Sequence, residues 1–365
     1  MNTTEQFIFS QHMKNINTRW EDFARENMEL QSPESLSIIY GTDLHYIRKY
    51  AYYTPSYYKL CEMVEFSGYI GADLLAITGD IVDGNTTMKR QYRDLYDVLG
   101  VLKKSKTTSV ALSKGNHDSC EWYAYQKNLG EGNWLTEKDW YVHAVNPLRV
   151  QYPMVLDEEN PQGGYYYIDY PVQKIRVINL NTSDSYVVLD EDGVPLREYC
   201  SQWHLGMKEK QLKWLTKALT FKEEGWSVIF LSHDFLVPFG DDFAGVVSNG
   251  EQAWEIIKAF KNCEKGIAKN TAEYYQSEVE YDFTENPSND VLVYMFGHVH
   301  ADNTFKKDGI TAVSTINILK AEPADWDSPD SEIIGGWDFV TIDKKKRMFY
   351  SKRYGVEGKD RFIEL

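Results

Sequence analysis

The chain has 365 residues, 42% of them hydrophobic, enough to bury a substantial core in one large domain or two ordinary ones. A formal net charge of −16 and a pI near 5.0 disfavour a polyanionic partner, because nucleic acid is held chiefly by Lys and Arg on its phosphates. Four cysteines, Cys61, Cys120, Cys200 and Cys263, lie far apart with no C-x-x-C pair, which argues against a zinc knuckle or a dense disulfide framework and for reduced thiols.

The opening Met1-Asn2-Thr3-Thr4-Glu5-Gln6 lacks a basic stretch leading into an apolar one, and no apolar run is long enough to span a bilayer. A cytoplasmic protein without a membrane partner is therefore expected. Residues 1–34 read as a polar, partly helical extension, with Phe7, Phe9, Met13, Ile16 and Trp20 spaced to lay one face on the body. A strand follows over Ser37-Ile38-Ile39-Tyr40, then a helix near 54–69, a strand over 73–78, a helix near 87–104 and a strand over 109–112. Strands alternating with helices in this way signal crossover units and a parallel sheet.

Residues 120–162 break the rhythm with Trp122, Tyr123, Tyr125, Trp134 and Trp140 and read as an insertion over the strand ends. Two strands at 165–170 and 175–180, joined by a turn at 171–174, start a second, partly antiparallel sheet. Leu212, Leu215 and Leu219 make a core-facing stripe on a helix over 207–223, and Val228-Ile229-Phe230-Leu231 runs as a strand into Ser232-His233. The stretch 236–288 is irregular, acidic and Tyr-rich apart from a helix at 250–261. After a strand over 291–296, alternating segments near 311–316, 337–343 and 346–352 are expected as edge strands completing the second sheet. With no repeat and no low-complexity linker, one domain over 35–355 with insertions near 120–162 and 236–288 is preferred to two.

Five apolar runs end in residues that bind metal well: Asp43-Leu44-His45, Gly79-Asp80, Gly115-Asn116-His117-Asp118, His233 and Gly297-His298-Val299-His300. With eight histidines in the chain, a His-x-His pair arises by chance roughly 0.2 times, so the pair alone is weak. Joint placement carries the argument: loops outside the carboxyl ends of parallel strands form the crevice where ligands sit, and histidines serving local structure would not gather there. Imidazole with carboxylate and amide oxygen suits Mn, Fe or Zn better than Mg or Ca. Two such cations about 3.5–4 Å apart would share an anionic ligand and make hydroxide available near neutral pH.

The order Asp-x-His, Gly-Asp, Gly-Asn-His-Asp, His and Gly-His-x-His resembles that of the calcineurin-like metallophosphoesterases, over about residues 36–318. Asp83-Gly84 and the Gln211-Leu212-Lys213-Trp214-Leu215 helix add to the likeness. The resemblance implies a four-layer α/β/β/α sandwich of two mixed sheets flanked by helices, with two divalent or trivalent metal ions at the strand carboxyl ends. It implies that Asp43, His45 and His300 bind the first metal, that Asn116, His233 and His298 bind the second, and that Asp80 bridges them. His117 would be no ligand but the acid that protonates the leaving oxygen, with Asp118 as its orienting partner, while a hydroxide between the metals attacks phosphorus in line.

The expected activity is hydrolysis of a small-molecule phosphoester, with a diester favoured because no Arg cluster is evident for a terminal dianion. A phosphomonoesterase, a DNA or RNA nuclease and a non-catalytic scaffold are the alternatives. The basic runs Lys103-Lys104-Ser105-Lys106 and Lys344-Lys345-Lys346-Arg347 are short and read as solvated faces rather than a nucleic-acid groove. No protein partner is evident. Trp122, Tyr123 and Tyr125 are the candidates for substrate contact, against the plainer reading that the aromatic insertion packs on itself. His143 and His204 are expected to be hydrogen-bonded structural histidines.

Overall fold

Strand β1 (Ser35–Gly41) is buried along its whole length, as a strand covered on both faces must be. In the computed structural model, which describes residues 21–48, 55–239, 246–318, 335–355 and 360–365, it starts the first sheet. Helix α1 (Pro55–Ile70) leads to β2 (Leu74–Ile77), and α2 (Met88–Leu102) leads to β3 (Ser109–Leu112). Both crossovers make parallel pairs, β1 with β2 and β2 with β3. On α2, Leu95, Val98, Leu99 and Leu102 recur at helical spacing and are buried. Residues 21–28 are helical; the expected packing residues Phe7, Phe9, Met13, Ile16 and Trp20 lie outside the described residues.

The second sheet begins with β4 (Val155–Leu156), β5 (Tyr166–Tyr170) and β6 (Ile175–Asn179), the last two paired antiparallel around the expected turn. A short β7 (His204–Gly206) and α3 (Glu209–Ala218) precede β8 (Ser227–Ser232). After β9 (Val246–Ser248) and α4 (Gly250–Asn262) come β10 (Lys265–Asn270) and β11 (Ser277–Asp282), then β12 (Asp290–Phe296), β13 (Asn303–Lys307) and β14 (Ile310–Ser314). The strand order is β13-β14-β12-β8-β6-β5-β4, with β14, β12, β8 and β6 parallel to one another.

Alternate side chains of β8 show the layering. Ile229 and Leu231 join the core shared with β1, β2, α1 and α2, whereas Val228 and Phe230 join a second core with α3 and α4. The two sheets therefore pack face to face with helices outside each, an α/β sandwich. Tyr40 Oη donates to the Phe296 carbonyl at 2.5 Å and Ser113 Oγ to Asn179 Oδ1 at 2.6 Å, two ties between the sheets at their carboxyl ends.

Two expectations are corrected. The segments at 337–343 and 346–352 finish the first sheet, not the second: β15 (Trp337–Asp343) pairs antiparallel with β1, followed by β16 (Met348–Tyr354) and β17 (Arg361–Glu364). Hydrophobic alternation marks a strand but not the edge it joins. Within 236–288, the antiparallel pair β10–β11 stands where irregular chain was expected. Its Ala268 and Val279 turn to the α4 core while Lys, Glu and Asp face outward.

Candidate metal centre

All five motifs leave the carboxyl ends of parallel strands. Asp43 and His45 follow β1, Asp80 follows β2, Asn116 and His117 follow β3, His233 follows β8, and His298 and His300 follow β12. Backbone hydrogen bonds knit these loops together: Asp43 N donates to Gly79 O at 3.1 Å, His45 N to Asp80 O at 2.8 Å and Gly297 N to His233 O at 2.8 Å. Asp43, His45, Asp80, His298 and His300 all have positive φ, between 41° and 67°. Each such non-glycine residue costs on the order of 1 kcal/mol or more, so their gathering at one place marks strain that the surrounding contacts hold in place.

Glycines make the approach of the loops possible. A Cβ on Gly115 would overlap Asp80 Oδ1, and one on Gly297 would overlap Thr42 Oγ1 and come 2.9 Å from Asp43 Oδ2. A Cβ on Gly79 would likewise overlap the His233 ring, so each of these glycines is required by the close approach of another motif.

The donor atoms converge in three groups, Asp43–His45–His300, Asp80–His233–His298 and, sharing one residue with each, His45–Asp80–His117, each with its ligand atoms within 4.8 Å of one another. Asn116 Oδ1 completes the second group, 2.8 Å from His233 Nε2 and 3.1 Å from His298 Nδ1. In the first, His45 Nε2 lies 3.2 Å from His300 Nε2, which is 3.1 Å from Asp43 Oδ1. Asp80 Oδ2 stands between them, 3.4 Å from His233 Nε2 and 3.7 Å from His45 Nε2. Facing nitrogens at this spacing, beside buried carboxylates, are donors aimed at a common centre. The set fits a pair of cations that accept nitrogen and oxygen ligands.

Outer contacts fix the donors. Thr42 Oγ1 and His298 N donate to Asp43 Oδ2 at 2.6 and 2.9 Å, and His233 Nδ1–H donates to Thr78 O at 2.8 Å, leaving Nε2 bare toward the centre. Burial holds His45 at about 4 and also lowers His298, so both imidazoles favour the neutral, ligating form. Burial also disfavours charge on His233, but Asp80 outweighs it and raises the group to about 10. A proton and a cation compete there for the same negative charge.

His117 stands at the edge, its Nε2 4.0 Å from Asp80 Oδ2. Its orienting partner is not Asp118, as expected, but the carbonyl of Asp83, which accepts from Nδ1–H at 2.5 Å. Asp118 is fully buried and accepts three backbone N–H groups, from Ile81 at 2.9 Å, Val82 at 3.1 Å and Gly115 at 2.7 Å. Its carboxylate is used up in joining the Asp80 loop to the Asn116 loop. Gln202, which no motif marks, donates from Nε2 to His117 Nε2 at 3.2 Å. Gln211 docks α3 beneath the site by exchanging hydrogen bonds with the Asn181 backbone at 2.8 and 2.9 Å.

The insertion divides. Trp134 and Trp140 are buried, whereas Trp122, Tyr123 and Tyr125 are half-buried at the surface. His143 Nδ1 bonds Tyr96 Oη at 2.6 Å and His204 Nε2 bonds Ser248 Oγ at 2.9 Å, outside the donor cluster. In the second basic run, Lys344 donates to the Lys174 carbonyl at 3.0 Å, Lys346 pairs with Asp343 at 3.2 Å, and Arg347 pairs with Asp290 at 2.8 Å.

Two face-to-face mixed sheets, with a His/Asp/Asn cluster at their carboxyl ends, define the class of a metal-dependent hydrolase. A sequence model of the calcineurin-like phosphoesterase family matches residues 36–302, and the chain belongs to that family. It is a hydrolase acting on phosphoester bonds, from a family that uses dinuclear metal centres. The fold is similar to that of a dimetal phosphatase from Danio rerio, at 17% identity and a TM-score of 0.58, covering 90% of this chain and 98% of that one. A purple acid phosphatase from yellow lupin is more distant, at 12% identity and a TM-score of 0.46, covering 90% of this chain and 54% of that one. No significant match is found among curated proteins. Among the described residues, no helix is long and apolar enough to cross a membrane.

Proposed function

We propose that the protein is a phosphodiesterase of small-molecule substrates, with His117 as the acid that protonates the leaving oxygen. The observation that carries this is the position of Asp80 Oδ2, facing His233, His45 and His117 at 3.4, 3.7 and 4.0 Å. One carboxylate thus touches both donor groups and the histidine beside them. Asp43, His45 and His300 would hold one cation, Asn116, His233 and His298 the other, and Asp80 both; Mn, Fe or Zn suits these donors. Bound there, the cations supply Lewis-acid chemistry: they lower the pKa of water and neutralise charge on the phosphoryl oxygens.

The protein's own residues supply position and a proton. The Asp83 carbonyl holds His117 by Nδ1–H, so Nε2, which meets the Gln202 amide at 3.2 Å, is the nitrogen left to carry a proton to the leaving oxygen once that contact is given up. Asp43 and Asp80 together bear less negative charge than two divalent cations bear positive, so a centre inside an acidic protein still attracts a phosphate. Among the described residues no guanidinium bonds to a cluster residue; Arg353 and Arg361 are both committed to Asp338, at 2.6 and 2.7 Å. Among these residues the second charge of a monoester dianion therefore finds no guanidinium partner, which favours a diester.

The test is kcat/KM of Mn-loaded protein on bis-p-nitrophenyl phosphate against p-nitrophenyl phosphate. The diester is expected to be preferred, and a strong preference for the monoester overturns the reading. His117→Ala should lower kcat by about 10²–10⁴ on alkyl leaving groups and less on p-nitrophenolate, which needs no proton, with metal content retained. Unchanged activity on the alkyl ester would remove His117 from the mechanism.

A further inference from the structure

Gln202 connects the tip of His117 to a surface that the metal-binding motifs leave unexplained. The next residue, Trp203, is 52% exposed, the only tryptophan among the described residues with more than half of its surface in solvent. On the other side of His117 the chain enters the short helix Glu121–Gln126. There Trp122 meets Trp203 nearly perpendicular, with ring centres 5.6 Å apart, and stacks on Tyr125 at 5.1 Å. Two segments that each touch or flank the acid therefore meet again in one aromatic corner.

This corner is not the core of the insertion. Trp134 packs with Cys120 and Ala124, and Trp140 joins the main core, while neither Trp122 nor Trp203 belongs to a buried cluster. A rigid indole left half in solvent gives up apolar burial that a second ring laid against it would recover. The corner also has a defined relation to the chemistry. Gln202 Nε2 lies 3.2 Å from His117 Nε2, the atom given to the leaving oxygen in the proposed function, so the loop that carries Trp203 borders the leaving-group side of the centre on that reading.

We infer that Trp203, supported by Trp122, is a stacking ledge for a planar aromatic ring carried on the leaving alcohol of a small phosphoester, as in a nucleotide ester. This rests on the proposed function for the type of ester and, through His117, for placing the ring on the leaving alcohol, but not for the ring itself. The net charge of −16 favours a single ring-bearing molecule over a nucleic-acid strand. Trp203 positions substrate and takes no part in proton transfer.

The test compares two methyl phosphodiesters on the metal-loaded full chain: the methyl ester of a nucleoside 5′-phosphate and its abasic analogue, which lacks only the base. Their leaving oxygens are alike, so the ring is the difference; products are read by ³¹P NMR. The nucleoside ester is expected to have a kcat/KM about tenfold or more above the abasic ester. Trp203→Ala should bring the ratio to within about threefold of unity, with the loss on KM, and Trp203→Phe should restore most of it. A wild-type ratio near one, or a ratio that Trp203→Ala leaves intact, overturns the ledge. If neither diester is cleaved, the diester reading fails by itself, and the same ratio on the corresponding monophosphates decides the ledge. Should Trp203→Ala misfold, saturation-transfer NMR on the wild type decides: base protons must receive more saturation than sugar protons, and the reverse order refutes the inference.

Discussion

Replacing Asp118 separates a structural role from a catalytic one. Its two carboxylate oxygens accept the N–H groups of Ile81, Val82 and Gly115, all buried. Asp118→Ala strands three donors at about 1–3 kcal/mol each, so a loss of about 3–9 kcal/mol is expected, a large share of a typical net stability of about 5–15 kcal/mol. Asp118→Asn keeps one acceptor oxygen but sets an amide N–H₂ against at least one backbone donor, for a smaller loss of about 1–3 kcal/mol. Ile81 follows Asp80 and Gly115 precedes Asn116, so the same change loosens two loops that carry proposed metal ligands. Urea unfolding in chelator measures the stability term, and metal titration of the folded protein measures the ligand term. The ratio of residual kcat on an alkyl ester to that on a p-nitrophenyl ester should stay at the wild-type value. A variant of unchanged stability in which that ratio falls would show that Asp118 acts on His117 after all.

Glu121 offers a pH test away from the ligands. It is 3% exposed, its Oε1 has no hydrogen-bond partner, and burial pushes its carboxyl up from 4.5 to about 7. The folded state then holds a proton that the unfolded state releases between these values, so stability falls as pH rises through the window. Glu121→Gln should be more stable than wild type by about 3 kcal/mol at pH 8 and nearly equal to it at pH 4; equal stability at both, by denaturant titration, contradicts the assignment. Gly297→Ala would force Thr42 and Asp43 away from the loop. A loss of about 2 kcal/mol or more and weakened metal binding are expected, and a wild-type metal isotherm would refute the close approach.

The site was more legible in the sequence than the periphery of the fold. Asp43, His45, Asp80, Asn116, His233, His298 and His300 stand in short motifs after apolar runs, and the crossover rule brings such strand ends together. The outer strands were harder because pairing partners are set by long-range contacts: β15 reads as an alternating strand, yet its sequence does not announce that Val340 lies opposite Ile38. The β10–β11 pair was hidden by the charged residues on its open face. Asp118 misled because a carboxylate next to a histidine in sequence need not be its neighbour in space. The actual partner is a backbone carbonyl, Asp83 O, which leaves no side-chain signature. Gln202 reaches His117 from a loop before β7 and belongs to no motif, so only the folded structure could join the two.

Metal stoichiometry tests the central claim most directly. Elemental analysis of Mn-loaded wild type and Asp80→Asn, with hydrolysis followed through chelation and reloading, probes the pairing that Asp80 Oδ2 suggests. Two ions per wild-type chain, hydrolysis lost with chelator and regained with metal, and at most one ion with little activity in Asp80→Asn are predicted. A wild type that saturates below two ions, or an Asp80→Asn variant that still holds two and turns over normally, would contradict the account.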